Sequence, residues 1–289
     1  PGVKMHDFVG ALLKELKIKL IGLESHATTL DVKEAIAAQS PDDTIWTPVA
    51  GTVEALRIRK DADEIATTKK AVYYAQEAFA RVTAAMKLSD TEWDVAAELE
   101  YTIRKLGGQG CSFEPIVAVG PRSALPHARA SHLKLSDNPI LLIDWGAFAD
   151  GYASDLTRVL ATGSIPPKFE QVYRTVLAAQ MAAIAAIGPG KKTQDIDAVA
   201  RGVITDAGFG DLFGHGLGHG LGLYIHEAPR LAPNTDVTLE PGMIVTVEPG
   251  IYLPGEFGVR IEDDVLVTET GHEVLTSTPK QWENVMIAK

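Results

Sequence analysis

Residues 141–158 read Leu-Leu-Ile-Asp-Trp-Gly-Ala-Phe-Ala-Asp-Gly-Tyr-Ala-Ser-Asp-Leu-Thr-Arg. Asp150–Gly151 is a strong signal for a two-residue hairpin turn, whose central positions need a positive φ that Asp and Gly tolerate. Such a turn sets Ala149 opposite Tyr152 and Asp144 opposite Thr157. Asp155, two residues from Thr157, then shares a sheet face with Asp144. Two carboxylates on one face of so apolar a strand repel each other unless a proton or a cation lies between them. The plainer alternative is a solvated Asp155 and an Asp144 that merely ends its strand.

A second hairpin has the same character. Met243-Ile-Val-Thr-Val-Glu-Pro-Gly-Ile-Tyr252 and Gly258-Val-Arg-Ile-Glu-Asp-Asp264 flank a loop containing Pro254, Gly255 and Glu256. Glu248 and Glu262 sit symmetrically about Gly255, so pairing centred there sets them opposite one another on one face. A single buried Glu is already expensive. Four carboxylates from two equivalent hairpins point to a shared cation site.

Between the hairpins lies Phe213-Gly-His-Gly-Leu-Gly-His-Gly-Leu-Gly-Leu-Tyr-Ile-His-Glu-Ala-Pro-Arg230. Glycine at every second position from Gly214 to Gly222 disfavours a helix, so His215 and His219 are not the helical pair of a zincin motif. In an extended strand they share a face, and the glycines let another backbone approach closely. A dinucleotide fingerprint is a weak reading, because no strand-then-helix context surrounds these glycines.

Composition narrows the class. The chain of 289 residues is 46% hydrophobic and carries a formal charge of −11, which suits a globular protein and argues against nucleic acid or an anionic membrane as partner. Cys111 is the sole cysteine, so neither a disulfide nor a cysteine zinc site can form within the chain. There is no membrane-length apolar run and no signal-peptide layout, and the expected location is cytoplasmic.

Apolar periodicity divides the chain near residue 52. Residues 1–52 read as a helix around Phe8–Leu16, a strand over 17–24, a short helix over 31–39 and a linker over 48–51. Beyond that point a helix–helix–sheet pattern occurs twice. Helices over 61–86 and from Thr91 precede strands over 113–119, 139–148 and 152–160. Helices over 173–187 and from Thr193 precede strands over 243–253 and 258–268. Thr91 and Thr193 hold equivalent places, which suggests an internal duplication.

The set Asp144, Asp155, His219, Glu248 and Glu262, in this order, resembles the ligand set of the pita-bread metallopeptidases. That family includes Xaa-Pro aminopeptidases, prolidases and methionine aminopeptidases, and the resemblance runs from about Lys60 to the C-terminus. Gly-Tyr-Ala-Ser-Asp-Leu-Thr-Arg, Val-Glu-Pro-Gly-Ile-Tyr and Val-Arg-Ile-Glu-Asp look like its proline-peptidase branch. The resemblance implies an α+β, creatinase/aminopeptidase-like pita-bread fold over residues 53–289 with pseudo-duplicated halves. A partial N-terminal α/β unit over residues 1–52 resembles only the tail of the domain that precedes the catalytic domain in Xaa-Pro peptidases.

The same resemblance implies two divalent metal ions, bridged by Asp155 and Glu262. Asp144 completes one shell, and His219 with Glu248 the other. So oxygen-rich a site favours Mn²⁺, with Co²⁺, Fe²⁺ or Zn²⁺ also suited. Two such ions would activate a water and polarise the scissile carbonyl, with Glu248 as the proton carrier. His127, in Ala124-Leu-Pro-His-Ala-Arg129, and His226 match family histidines that donate to the substrate. His215 would line the specificity pocket, and Arg230 matches a prolidase arginine that holds the substrate carboxylate. Arg260, on the face of Glu262, would buttress the carboxylates. The first expectation is an Xaa-Pro aminopeptidase acting on peptides with proline second, for which a homodimer is compatible. The alternative is an Xaa-Pro dipeptidase (prolidase). Metal-free creatinase-like chemistry and a non-catalytic binding protein on the same fold stand further off, because all five ligands are present.

Overall fold

A computed structural model of the protein describes residues 2–287. The chain divides into two compact units, one ending at Leu56 and the other beginning at Arg57. In the first, α1 (Met5–Leu16), β1 (Leu20–Glu24), α2 (Leu30–Ala37) and β2 (Ile45–Val49) occur in that order. β1 and β2 pair in parallel, from Leu20↔Ile45 to Glu24↔Val49, with α2 as the crossover. The linker expected over 48–51 therefore begins later, since Pro48 belongs to β2 and faces Leu23. Both strands of a two-stranded sheet are edges, where proline is tolerated. Among the described residues of this unit, Leu13 and Ile36 are the large apolar side chains that are buried, whereas Met5, Phe8, Leu12 and Leu16 of α1 are exposed. A short helix, α3 (Thr52–Arg57), comes next.

The second unit repeats one layout. α4 (Ala62–Ala85) and α5 (Glu92–Leu106) precede β3 (Gly110–Cys111), β4 (Ile116–Val119), β5 (Ile140–Trp145), β6 (Ala147–Ala149), β7 (Tyr152–Ala153) and β8 (Leu156–Ala161). α6 (Pro167–Ala186) and α7 (Thr193–Asp206) precede β9 (Gly218–Gly220), β10 (Glu227–Leu231), β11 (Ile244–Val247), β12 (Gly250–Leu253), β13 (Phe257–Arg260), β14 (Asp263–Val267) and β15 (His272–Val274). The helices start where their sequences allow. Asp61 and Glu64 form a capping box on α4, and Thr91 with Asp94 forms one on α5. α6 begins six residues before Tyr173, at Pro167, whose fixed φ suits the first helical position. Thr193 is not the counterpart of Thr91. Lys192 holds the N-cap position of α7, without a side-chain hydrogen bond, and it bridges to Thr238 as Thr91 bridges to Lys134. Among the described residues no helix is long and apolar enough to cross a membrane.

The first hairpin folds as its turn requires. Asp150 and Gly151 take φ of 46° and 85°, Ala149 faces Tyr152, and Asp144 faces Thr157. Alternation along β5 then sorts its side chains. Leu141, Ile143 and Trp145 pack with Phe79 and Val82 of α4 and with Leu99 and Ile103 of α5. Ile140 and Leu142 pack in the core formed with Phe169, Val176 and Ile196 of α6 and α7. Asp144 has the parity of Ile140 and Leu142 and so faces the second half. Trp145 anchors the strand beside it, stacked on Phe79 at 4.2 Å and donating to the Ala75 carbonyl at 2.9 Å.

A buried network ties the halves together around Asp263. Its carboxylate accepts from Arg158 Nη2 and Gln180 Nε2, each at 2.7 Å, from Thr276 Oγ1 and from Lys280 Nζ. Burial alone would raise this carboxyl, but Arg158 and Lys280 outweigh it and hold it below the usual range. Removing one partner of a buried pair strands the other charge, at a cost of about 3–5 kcal/mol. Asp263→Ala should lose that much in denaturant unfolding. A loss under about 1 kcal/mol, the worth of a surface pair, would show the network to be dispensable.

Candidate metal centre

The second hairpin keeps its register on both sides of a gap. β12 pairs with β13 from Gly250↔Arg260 to Leu253↔Phe257, and β11 pairs with β14 from Ile244↔Leu266 to Val247↔Asp263. Glu248 and Glu262 fall between these ladders. The backbones there turn to other partners: Glu262 N–H donates to the Thr157 carbonyl at 3.2 Å, and Glu248 N–H to the Leu217 carbonyl at 2.8 Å. The Thr157↔Glu262 bridge joins the two hairpins and brings their acidic residues together.

The histidine strand enters between β10 and β11. A Cβ at Gly218 would lie 2.1 Å from the Thr246 carbonyl oxygen, and one at Gly220 would lie 2.2 Å from that of Ala228. Only glycine permits this approach, which is why the residue alternates around His219. His219 Nδ1 lies 3.0 Å from the Gly220 carbonyl, so it carries the ring proton and leaves the Nε2 lone pair free. Burial pushes this imidazole down to about 4, which keeps it neutral. Nε2 points at Glu248 Oε1, 3.4 Å away, and Asp155 Oδ2, 3.7 Å away.

Ligand atoms of Asp155, His219 and Glu262 all lie within 4.8 Å of one another. Burial, then the neighbouring carboxylates, raises Asp155 and Glu262 well above the usual carboxylate range. Burial likewise raises Asp144, and Glu248 to about 8, against the opposing pull of Arg260. Arg260 is the cation at this centre. It donates to Asp144 Oδ2 at 2.6 Å and Thr157 Oγ1 at 3.1 Å, and Thr157 Oγ1 donates to Glu262 Oε2 at 2.6 Å. Asp144 Oδ1 is buried without a hydrogen-bond partner among the described residues. Crowded, buried carboxylates, an orphaned oxygen and a metal-ready imidazole form a donor set suited to hard or borderline divalent cations.

The other expected residues surround this centre. His226 meets His219 ring to ring, with centroids 4.4 Å apart. His127 is exposed, and its charge bears on Asp144, His215 and His226. Arg230 pairs with His219 across β10 and β9 and is exposed. Its guanidinium has no ion-pair partner among the described residues. His215 is committed within the protein: Nδ1 donates to the Gly216 carbonyl and Nε2 accepts from Tyr252 O–H, both at 2.8 Å. Burial and then Arg260 hold it down at about 4.

Three contributors escape the sequence reading. Thr157 serves there only as a register mark. Tyr252 connects His215 to Arg260, whose Nη1 donates to its oxygen at 2.8 Å. Asp264 accepts from the Asp155 N–H at 3.0 Å and is fully buried. Its signal is a third carboxylate in Ile-Glu-Asp-Asp within an apolar strand. Elsewhere, Glu24, His26 and Glu54 also bring ligand atoms within 4.8 Å, but around a solvent-open His26–Glu54 ion pair.

Comparison with known proteins identifies the family. The model of metallopeptidase family M24 matches residues 66–269. An Xaa-Pro dipeptidase of Pyrococcus furiosus is 41% identical over 229 residues, which is 79% of this chain and 66% of that protein. Among solved structures, the Xaa-Pro dipeptidase from Bacillus anthracis superposes with a TM-score of 0.94 at 41% identity, covering 99% of this chain and 80% of that one. An X-Pro aminopeptidase from Thermotoga maritima gives 0.92 at 37% identity, covering 100% and 80%. The chain therefore belongs to metallopeptidase family M24, as a metallo-exopeptidase of the pita-bread fold.

Proposed function

We propose that the protein is an Xaa-Pro dipeptidase, cleaving the bond between a residue and a C-terminal proline. The relatives favour this activity over the aminopeptidase that the sequence motifs put first. The observation that carries it is Arg230. Residues directly opposed across an antiparallel ladder share a face, so this exposed cation, paired with His219, flanks the centre. A free guanidinium there suits the carboxylate that a dipeptide offers close to its scissile bond. We assign the first unit to the tail of a preceding domain, in keeping with its parallel strand pair and scant buried core.

Asp144, Asp155, His219, Glu248 and Glu262 would hold two divalent ions, with Asp155 and Glu262 shared and Mn²⁺ the first candidate. When bound, such ions supply Lewis acidity toward the scissile carbonyl and the attacking water. Glu248 is the proton carrier, taking a proton from water and returning it to the departing nitrogen. Its side chain is 17% exposed against 7% for Asp155 and 11% for Asp144, so it has room to meet water. His127 and His226 donate to the carbonyl oxygen as negative charge develops there. Arg260 and Thr157 keep the carboxylates in place, and His215 offers a ring face beside Tyr252.

Three measurements test this reading. After chelation and reloading with Mn²⁺ or Co²⁺, the protein should cleave Xaa-Pro dipeptides and leave longer Xaa-Pro peptides largely intact. Preference for the longer peptides would restore the aminopeptidase reading, and no metal-dependent cleavage of either would remove both. Arg230→Ala should raise KM for dipeptides about 10- to 100-fold, the worth of a charged hydrogen bond, without affecting the matching Xaa-proline amide. Equal effects on both would refute the carboxylate anchor.

The third measurement concerns stability. Asp155 and Glu262 are raised in the metal-free fold, so the folded state holds more protons than the unfolded state above pH ~4. Stability then falls as pH rises from there toward the raised values. The chelator-induced drop in Tm should be larger at pH 8 than at pH 5. A drop independent of pH would contradict the assigned ligands.

A further inference from the structure

Residues 221–226 carry His226 to its place beside His219 without regular secondary structure. What fixes this loop is the next residue. The Glu227 side chain is only 6% exposed, and both of its oxygens are held. Oε1 accepts from the Tyr224 N–H at 2.9 Å and from Arg57 Nη2, and Oε2 accepts from Lys60 Nζ at 3.2 Å. Arg57 also lies over the Tyr224 ring, 4.3 Å from its centroid.

The loop is drawn in further by its own backbone. Gly222 N–H donates to the Tyr224 carbonyl at 3.0 Å, and the Gly222 carbonyl accepts from the Ala153 N–H at 2.8 Å. A Cβ at Gly222 would sit 2.8 Å from both Glu227 Oε2 and Lys60 Cε, so the loop lies directly on the ion pair. The cations come from an ordered segment: Lys60 N–H donates to the Gly242 carbonyl at 2.8 Å, and Arg59 bridges to Met243. The Lys60 side chain is 1% exposed. A buried ion cluster adds little net stability over apolar packing of the same volume, so its use here is the geometry it enforces.

We propose that Arg57 and Lys60 are positioning residues for the reaction, gripping Glu227 so that the adjoining loop holds the His226 imidazole in register with the scissile carbonyl. This rests on the role given to His226 above. Glu227→Gln keeps the shape and removes the charge. In the Mn²⁺-loaded enzyme it should lower kcat about 10- to 100-fold, the usual scale for an outer supporting partner, with KM changed less than about threefold. In the metal-free full chain, hydrogen exchange should quicken over residues 221–227 and not elsewhere. Because Glu227 acts through His226, His226→Ala combined with Glu227→Gln should be no slower than His226→Ala alone.

Multiplying losses in the double variant would overturn the proposal, as would unchanged exchange. A slow His226→Ala beside a fully active Glu227→Gln overturns the positioning role alone. An active His226→Ala overturns the role of His226 itself. Should Glu227→Gln fail to fold, Lys60→Met gives the same test: kcat should fall and Lys60→Arg should recover most of it, whereas equal loss in both removes the cation from the account.

Discussion

Four carboxylates that repel one another occupy one largely buried space because the backbones carrying them are bonded together. The Thr157↔Glu262 bridge joins the two hairpins at the point where the second would otherwise close on itself. Thr157 contributes twice, through its carbonyl to the Glu262 N–H and through its hydroxyl to the Glu262 carboxylate. Arg260 offsets part of the negative charge and the peripheral Asp263 network braces both halves, yet neither neutralises the centre. Burying charge without a partner is costly. The fold retains that cost as affinity for cations.

The centre also separates chemistry from selectivity. In the proposed function, hydrolysis rests on the carboxylates, His219 and the donors around them, and none of these would sense whether the chain ends at the proline or continues past it. Under the same proposal, discrimination falls to Arg230, which stands exposed opposite His219. Motifs drawn from the interior therefore speak to the reaction and are silent on peptide length. Ligand motifs alone therefore leave the aminopeptidase and the dipeptidase both open.

Legibility in the sequence depends on the range of the interactions involved. The Asp150–Gly151 turn is local, and it delivered the facing of Asp144 and Thr157 correctly. The register of the second hairpin was equally legible from its symmetry about Gly255. The break in that hairpin was not, because it is imposed by Thr157, 105 residues away from Glu262. Tyr252 and Asp264 escaped for the same reason, since each acts on a residue distant in sequence or across the sheet. The start of α6 at Pro167 and the inclusion of Pro48 in β2 show proline marking a boundary or an edge, where pattern alone suggested a later start and a linker.

The division of the carboxylates between the two halves has a consequence for how the protein comes into being. A chain made from its N-terminus presents Asp144 and Asp155 long before residues 243–264 exist. Until then the first hairpin has no Glu262 to bridge and no Arg260 to steady Asp144. The four carboxylates therefore come together only after both hairpins have been made and joined through the Thr157↔Glu262 bridge.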